Sequence, residues 1–101
     1  MKVIYVAGAY RANSWNGVWE NIMHARNVAR KLWVDGWAVI CPHANSIFMD
    51  GDDTDGVFLN GDLEIVRRCD AVYMLNNWKG SEGATGEHKL AKELGLEVYY
   101  E

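Results

Sequence analysis

The sequence predicts a single α/β domain built as a three-layer sandwich, with helices on both faces of a parallel β-sheet. Short apolar runs alternate with longer segments in which apolar residues recur at helical spacing. The connections between them are short, which in α/β proteins gives parallel strands joined by right-handed crossovers. The 101 residues are enough for one modest core and too few for two, so residues 1–101 are expected to form one domain.

The four predicted strands are apolar runs rich in β-branched and aromatic residues. They are Val3–Ala7, Ala38–Cys41, Ala71–Leu75 and Leu96–Tyr100. The first is apolar throughout, as expected of a strand that is covered on both faces. Pro42, the only proline, ends the second strand because proline has no N–H group to offer the sheet.

Three helices are predicted between the strands, at about residues 17–34, 58–68 and 83–94. The inner face of the first is an apolar stripe at about 3.6-residue spacing: Val18, Ile22, Ala25, Ala29 and Leu32, widened by Trp19, Met23 and Trp33. The inner face of the second is Leu59, Leu63 and Val66. Asn16 and Gly36 are the predicted caps of the first helix, and Gly95 ends the third.

The predicted strand order is 2-1-3-4, with the first strand at the centre, as in Rossmann-like and flavodoxin-like folds. In such open sheets ligands bind at the carboxyl ends of the strands, where the strand order reverses. That point lies between the first and third strands. We therefore expect residues 8–11 and 76–87 to face each other across one crevice.

Composition excludes several classes of function. The formal charge of −4 and the pI near 5.3 argue against a nucleic-acid binder. We find no signal peptide and no apolar run near the ~20 residues that span a bilayer, so we expect a cytoplasmic protein that does not bind membranes. Cys41 and Cys69 lack metal-ligand spacing and are expected to be buried thiols. Five tryptophans are many for one small core, which predicts some at a ligand pocket or a subunit interface.

The segment Ser81–Ala91 is the first candidate site. Small residues and a hydroxyl lie at a strand-to-helix turn, where backbone N–H groups and the helix dipole favour a phosphate. Glu87 lies about one turn into the helix, where its carboxylate could face that ligand. In isolation, Ser81 is as well explained as an N-cap and Glu87 as a first-turn acid; their place at the crevice favours the functional interpretation.

Gly8 and Arg11 follow the first strand directly. Glycine allows a backbone to approach a ligand, and arginine offers a planar fork to phosphate or carboxylate. The segment matches neither G-x-G-x-x-G nor a Walker loop. Gly8 could equally serve a tight turn, and Arg11 could be solvated.

Asp62 is placed at or just before the start of the second helix, in Asn60-Gly61-Asp62-Leu63. A second carboxylate in the crevice would complete the pair that glycosidic-bond chemistry needs; alone, it is an ordinary N-terminal acid. His43 could be a base or a metal ligand, but no partner at metal-ligand spacing accompanies it, whereas His24 and His88 are expected on helix surfaces. No histidine is assigned to a metal, and no cofactor is expected.

The long segment between the second strand and the second helix, about residues 43–57, is predicted to be a loop. Its acidic part, residues 50–56, invites comparison with a calcium-binding loop. Aligning Asp55-Gly56 with the loop's fifth and sixth positions puts Gly51, which has no side-chain ligand, at the first. A solvated acidic loop is the favoured interpretation.

Four short motifs carry a resemblance to a known family. They are Tyr-x-x-Gly-x-x-Arg at Tyr5, Gly8 and Arg11; Asp-Leu at Asp62; Cys-Asp-Ala-Val at Asp70; and Ser-x-Gly-x-x-x-Glu-x-x-x-Ala at Ser81, Gly83, Glu87 and Ala91. Together they resemble the nucleoside 2-deoxyribosyltransferase superfamily, and in particular its 2′-deoxynucleoside 5′-phosphate N-hydrolase branch. The similarity covers most of the chain.

The resemblance implies a role for each matching residue. Glu87 would be the nucleophile that attacks the anomeric carbon of the sugar, Asp62 would orient or protonate the leaving base, and Tyr5 would hold the nucleophile or the sugar. The implied substrate-binding residues are Gly8, Tyr10, Arg11, His43, Ser81 and Gly83, with Ser81 and Arg11 at the 5′-phosphate. The loop after His43 and nearby tryptophans would cover the base, and members of the superfamily form homodimers or larger homo-oligomers.

Two hypotheses about function remain open. The first is an enzyme that cleaves or exchanges the N-glycosidic bond of a nucleotide or nucleoside. The second, which the less glycine-rich opening leaves open, is a non-catalytic nucleotide-binding module on the same scaffold. They differ at Glu87, because a binding module should tolerate Glu87→Gln and a nucleophile should not.

Overall fold

The structure, a computed structural model, describes residues 1–49 and 55–101. Its elements, in chain order, are β1 (Val3–Ala7), α1 (Trp15–Val34), β2 (Ala38–Ile40), α2 (Pro42–Asn45), α3 (Asp55–Arg67), β3 (Ala71–Met74), a 3₁₀ turn (Trp78–Gly80), α4 (Glu82–Leu94) and β4 (Glu97–Tyr100). Each predicted strand and helix is present with ends shifted by at most three residues. Helix α2 was not predicted; it begins with Pro42 at its first position, where the missing N–H matters least.

The sheet confirms the predicted topology. All four strands are parallel, in the order β2-β1-β3-β4. The register sets Ala7, the last residue of β1, beside Met74, the last residue of β3. The carboxyl ends of the two central strands therefore lie side by side, as the sequence predicted.

The central strand β1 divides the core into two layers. Ile4 and Val6 pack with the α1 side, whereas Tyr5 and Ala7 pack with residues of α3 and α4. All four of these side chains are fully buried. Because side chains alternate along a strand, Tyr5 points to the layer that contains α4.

Helix α1 buries four of the five residues of the predicted stripe, together with Val28, whereas Val18 is half-buried. The prediction that Trp19 and Trp33 widen the stripe is wrong, because they are 52% and 56% exposed. Both lie at the flank of the stripe, and α1 is the only long helix among the described residues on its face of the sheet. The N-cap is Ser14 rather than Asn16, since the Ser14 hydroxyl accepts the N–H of Gly17 at 3.0 Å.

Both predicted glycine caps are confirmed. Gly36, after α1, has φ of +103°, and Gly95, after α4, has φ of +72°. These left-handed conformations carry a steric penalty for residues that have a Cβ atom. The two helices therefore end where glycine allows the chain to reverse.

Helix α3 starts earlier than predicted, at Asp55, so Asp62 lies in the middle of the helix and not at its start. The pair Asn60-Gly61 suggested a helix start, but the helix continues through it. Leu59 is 47% exposed, so its predicted inward position is wrong, whereas Val66 is fully buried as predicted. The predicted acidic loop at residues 50–56 lies mostly outside the described residues.

In the part of the chain that the structure describes, none of the helices is both long and apolar enough to cross a bilayer.

Candidate active site

A cavity of about 450 Å³ opens at the carboxyl ends of β1 and β3. Its walls come from the loop after β1, from α2 and α3, and from the beginning of α4. The lining residues are Gly8, Ala9, Tyr10, Arg11, Pro42, His43, Ser46, Phe58, Leu59, Asp62, Gly80, Ser81, Glu82, Gly83, Ala84 and Glu87. Eight of the nine residues singled out in the sequence are among them, and the ninth, Tyr5, contacts Glu87.

Tyr5 and Glu87 form the centre of the site. Glu87 lies on the inner face of α4, on the same stripe as Ala84 and Ala91, because residues three and four apart share a helix face. Tyr5 reaches it from β1, and its hydroxyl donates a hydrogen bond to Glu87 Oε2. Tyr5 is fully buried and Glu87 is 8% exposed, so the pair is held on two rigid elements in a nearly dry environment.

Burial changes the proton affinity of all three groups at the centre. Burial is the main cause that raises the pKa of Glu87 to about 8; the hydrogen bond from Tyr5 opposes it, and the charge of nearby Asp62 adds a smaller increase. Burial also raises the pKa of Asp62 to about 6. The pKa of Tyr5 is raised by burial and by the neighbouring Glu87, so its hydroxyl keeps its proton and remains a donor. The cavity thus contains two carboxyl groups that release protons near neutral pH, a property typical of proton-transfer sites.

The beginning of α4 has the features of a phosphate seat. Ser81 is the N-cap, since its Oγ accepts the N–H of Ala84 at 3.2 Å, so the simpler interpretation of Ser81 is correct. The N-cap role does not prevent Ser81 from binding a phosphate, because a hydroxyl that accepts one hydrogen bond still has a hydrogen to donate. Gly83 lines the cavity next to it, and a Cβ atom there would lie 3.2 Å from Leu59 Cδ2.

Gly8 is required by close packing. A Cβ atom at this position would lie 2.5 Å from Leu75 Cδ1 and 2.9 Å from Asn77 Oδ1, distances that force a neighbour to move. Its φ is not positive, so the turn interpretation of this glycine is not supported. The loop after β1 therefore lies directly against the loop after β3, and Arg11, an exposed residue, lines the cavity beyond it.

His43 lines the cavity from α2 and is only 4% exposed. Its Nε2 is 2.9 Å from the carbonyl oxygen of Ala9, and its Nδ1 has no hydrogen-bond partner among the described residues. Burial lowers the pKa of the ring, so the imidazole is neutral at pH 7. The sequence singled out His43 but did not predict the short helix that buries it.

The tryptophans do not line this cavity, so the expectation that some lie at the ligand pocket is wrong for the described residues. Trp15, Trp19 and Trp33 are exposed on α1. Trp37 and Trp78 are half-buried and pack against Tyr99 and His88. The alternative expectation, that exposed tryptophans lie at a subunit interface, stays a prediction.

The other two histidines are less exposed than predicted. Both are half-buried and bonded: His24 Nε2 lies 2.8 Å from Glu101 Oε1, and His88 Nε2 lies 2.7 Å from the Tyr100 hydroxyl. Within the described ranges, no group of three or more histidine, cysteine or acidic residues could hold a metal ion.

Sequence reasoning missed two residues that support the site, Asn77 and Asn21. Asn77 Oδ1 accepts the N–H of Ala9 at 2.9 Å, and Asn21 Nδ2 donates to the carbonyl oxygen of Tyr10 at 3.1 Å. Asn77 follows the third strand within the predicted crevice, a position that could have drawn attention to it. Asn21 lies on α1 outside the predicted apolar stripe, and no sequence motif singled it out.

Comparison with known families places the chain in one protein family, whose description assigns no activity. Residues 2–100 match the family described as a domain of unknown function, DUF4406, and the chain belongs to that family. No curated protein shows significant similarity to it.

Proposed function

We propose that this member of the DUF4406 family cleaves or exchanges the N-glycosidic bond of a (deoxy)nucleoside 5′-monophosphate, with Glu87 as the nucleophile. The observation that carries the proposal is the buried hydrogen bond from Tyr5 to Glu87 at the wall of a cavity that also contains Asp62. The N-terminus of α4 and Ser81 supply a phosphate seat in the same cavity. Resemblance to nucleoside 2-deoxyribosyltransferases supports the same assignment.

The chemistry proceeds in two displacements. The Glu87 carboxylate attacks the anomeric carbon, the bond from carbon to base nitrogen breaks, and an ester forms between Glu87 and the sugar. Asp62, whose pKa of about 6 leaves part of the population protonated near neutral pH, donates a proton to the departing base. Water or a second base then attacks the same carbon, the bond from that carbon to the Glu87 oxygen breaks, and the attacking group gives its proton to the Asp62 carboxylate, which completes hydrolysis or exchange.

Tyr5 serves the first displacement through Glu87. Its hydroxyl hydrogen bond lowers the pKa of Glu87 against the effect of burial, and so increases the fraction of the ionised nucleophile. It also occupies one carboxylate oxygen, Oε2, which leaves the other oxygen for the sugar. Tyr5 is therefore expected to affect the pH dependence of the reaction as well as its rate.

One observation favours the second candidate, a non-catalytic nucleotide-binding module. With a pKa of about 8, Glu87 is mostly protonated at pH 7 in the ligand-free protein, and a neutral carboxyl group is a poor nucleophile. A protonated Glu87 would instead donate a hydrogen bond to a sugar hydroxyl. The two candidates differ in whether any base is released at a pH where part of the Glu87 population is ionised and part of the Asp62 population is protonated.

The deciding experiment measures base release from deoxynucleoside and ribonucleoside 5′-monophosphates at about pH 5, 7 and 9. Wild type is compared with Glu87→Gln and with Glu93→Gln, a control on the exposed last turn of the same helix. The reaction needs an ionised Glu87 together with a protonated Asp62, so the proposal expects release that is greatest near pH 7, between the two pKa values. Release should be lost in Glu87→Gln and unchanged in Glu93→Gln. Nucleotide binding without release by all three proteins would establish the binding module, and release that survives in Glu87→Gln would remove Glu87 as the nucleophile.

Assembly and location complete the proposal. Exposed aromatic side chains such as Trp15, which is 80% exposed, are typical of surfaces buried in subunit interfaces, and we propose a homodimer or larger homo-oligomer. Cys41 and Cys69 are free thiols, which suits a reducing compartment, and we propose a cytoplasmic location.

A further inference from the structure

A half-buried carboxylate at the carboxyl end of the sheet joins three parts of the chain. Glu101 directly follows β4, and its backbone N–H donates to the carbonyl oxygen of Met74, at the end of β3, at 2.9 Å. Its Oε1 accepts the backbone N–H of Asn76 at 2.8 Å and lies 2.8 Å from His24 Nε2. The side chain of Glu101 is 24% exposed and that of His24 is 35% exposed. The carboxylate therefore ties the loop after β3 to α1.

The segment that Glu101 holds also holds the cavity wall. Asn77, the residue after Asn76, accepts the N–H of Ala9 through Oδ1 at 2.9 Å, and Ala9 lines the cavity. In the other direction the chain passes through the 3₁₀ turn to Ser81, which also lines the cavity. Residues 76–77 are thus the point where the loop after β1 and the approach to α4 meet.

Helix α1 supports both loops from one face. Asn21 and His24 lie three residues apart, a spacing that puts two side chains on the same face of a helix. Asn21 Nδ2 donates to the carbonyl oxygen of Tyr10, in the loop after β1, at 3.1 Å, whereas His24 reaches the loop after β3 through Glu101. Neither of these helix side chains nor Glu101 lines the cavity, so they can act on a ligand only through the loops.

Glu101 is ionised at neutral pH. Burial alone raises its pKa, but the hydrogen bonds with Asn76 and His24 outweigh burial and hold the pKa below its ordinary value. Hydrogen bonds to an ionised acceptor are stronger than those between neutral groups. We propose that Glu101 is a positioning residue that fixes the loop after β3 against α1 and thereby, through Asn77 and Ala9, sets the spacing of the loops that line the ligand cavity. Only the identity of the ligand as a nucleotide rests on the proposed function.

Three variants separate positioning from general stability. Glu101→Leu removes the acceptor with little change in size, whereas Glu101→Gln keeps an oxygen that accepts hydrogen bonds. Glu97→Leu is the matched control, because Glu97 also forms a 2.8 Å ion pair, with Lys2 Nζ. Glu97 is the first residue of β4, so this ion pair lies at the end of the sheet away from the cavity.

The first readout is amide hydrogen exchange followed by NMR, which needs no ligand. The amide of Ala9 decides, because its own partner Asn77 is intact in every variant. We expect this amide to exchange about fivefold faster in Glu101→Leu than in wild type, and at the wild-type rate in Glu101→Gln and Glu97→Leu. Loops exchange through local opening, so a loss of global stability alone leaves the rate unchanged.

The second readout is the KM for a deoxynucleoside 5′-monophosphate, with kcat measured alongside. A ligand that must first order the loops binds more weakly in proportion to the fraction of disordered protein, so KM should rise about fivefold in Glu101→Leu. The kcat should change little, because Tyr5 and Glu87 lie on β1 and α4 and not on the loops. Glu101→Gln and Glu97→Leu should keep the wild-type KM.

Several results would overturn the inference. An Ala9 exchange rate that Glu101→Leu leaves unchanged, or that Glu97→Leu raises equally, would show that Glu101 has only a local or a general structural role. An unchanged KM in Glu101→Leu would remove its role in binding. If Glu101→Leu does not fold, the wild type decides: an Asn76 amide that exchanges like an unprotected one overturns the inference, and one as protected as that of Ala9 supports it. If even wild type neither binds nor cleaves a nucleotide, the proposed function fails, and the exchange of Ala9 alone decides.

Discussion

Replacing Glu87 with glutamine should make the protein more stable at alkaline pH while removing its activity. The pKa of Glu87 rises from 4.5 to about 8 on folding, mainly because burial disfavours the charged carboxylate. Between these two pH values the folded protein keeps a proton that the unfolded chain has released, so the free energy of unfolding falls as pH rises. A tenfold change in proton affinity corresponds to about 1.4 kcal/mol, so ionisation of the buried Glu87 above about pH 8 lowers the free energy of unfolding by about 5 kcal/mol in all. Glutamine cannot ionise and does not incur this penalty.

The assay is urea unfolding followed by tryptophan fluorescence at about pH 5, 7 and 9. The difference in unfolding free energy between Glu87→Gln and wild type should be small at about pH 5 and reach about 5 kcal/mol in favour of the mutant at about pH 9. Asp62 is present in both proteins, so most of its own contribution cancels. Glu93→Gln, an exposed substitution on the same helix, should show a difference that does not change with pH. A pH-independent difference for Glu87→Gln, or a wild type that is the more stable at about pH 9, would refute the assignment of a costly buried charge.

Three further predictions follow from the same contacts. Tyr5→Phe removes the hydrogen bond that lowers the pKa of Glu87. The alkaline limb of the pH–rate profile, which the higher of the two pKa values sets, should therefore move to higher pH; an unmoved profile would exclude this role. Gly8→Ala should lower the free energy of unfolding by about 1–3 kcal/mol through overpacking. The control Gly61→Ala, at a helical position with open space around it, should raise the free energy of unfolding by about 0.5–1 kcal/mol. Thermal melts that reverse this order would contradict the packing described. Trp15→Ser should weaken self-association in analytical ultracentrifugation, and a wild type that sediments as a monomer at high concentration would remove the proposed assembly.

The fold was predictable because its signals are local and repeated. Apolar runs of strand length alternate with amphipathic segments, and glycine marks two of the helix ends, at Gly36 and Gly95. A parallel sheet of order 2-1-3-4 follows from the alternation, and it brings the loop after β1 next to the start of α4. The sequence therefore placed Gly8 and Glu87 in one crevice before any contact was known.

The parts that sequence could not predict depend on tertiary contacts. Asn60-Gly61 is a pair that favours turns, yet α3 continues through it, because packing of the helix against α4 outweighs local propensity. Asp62 nevertheless lines the cavity. Although α3 begins earlier than predicted, the helix still lies over the carboxyl ends of the strands. Trp19 carried an apolar signal at nearly the right spacing, but no neighbouring element among the described residues covers it.

Helix α2 could not be predicted from the sequence because it is short. It has four residues, too few for a periodic pattern, and its only signal is Pro42. Its effect on the site is large all the same, because it buries His43 and places it against Ala9. An unpaired ring nitrogen at that position could not be foreseen from the sequence.

The central position of β1 has a consequence for how the chain folds. One of its two neighbours, β3, is synthesised much later than β1: the contact from the Val3 N–H to Asp70 Oδ2 joins residues 67 positions apart. Closing so long a loop before any pairing stabilises it is slow, and parallel sheets fold slowly for this reason. Until β3 is available, an apolar strand with an unpaired edge is exposed to other chains. Of the four strands, β1 thus waits longest between its own synthesis and its full pairing, and aggregation competes with folding most strongly during that interval.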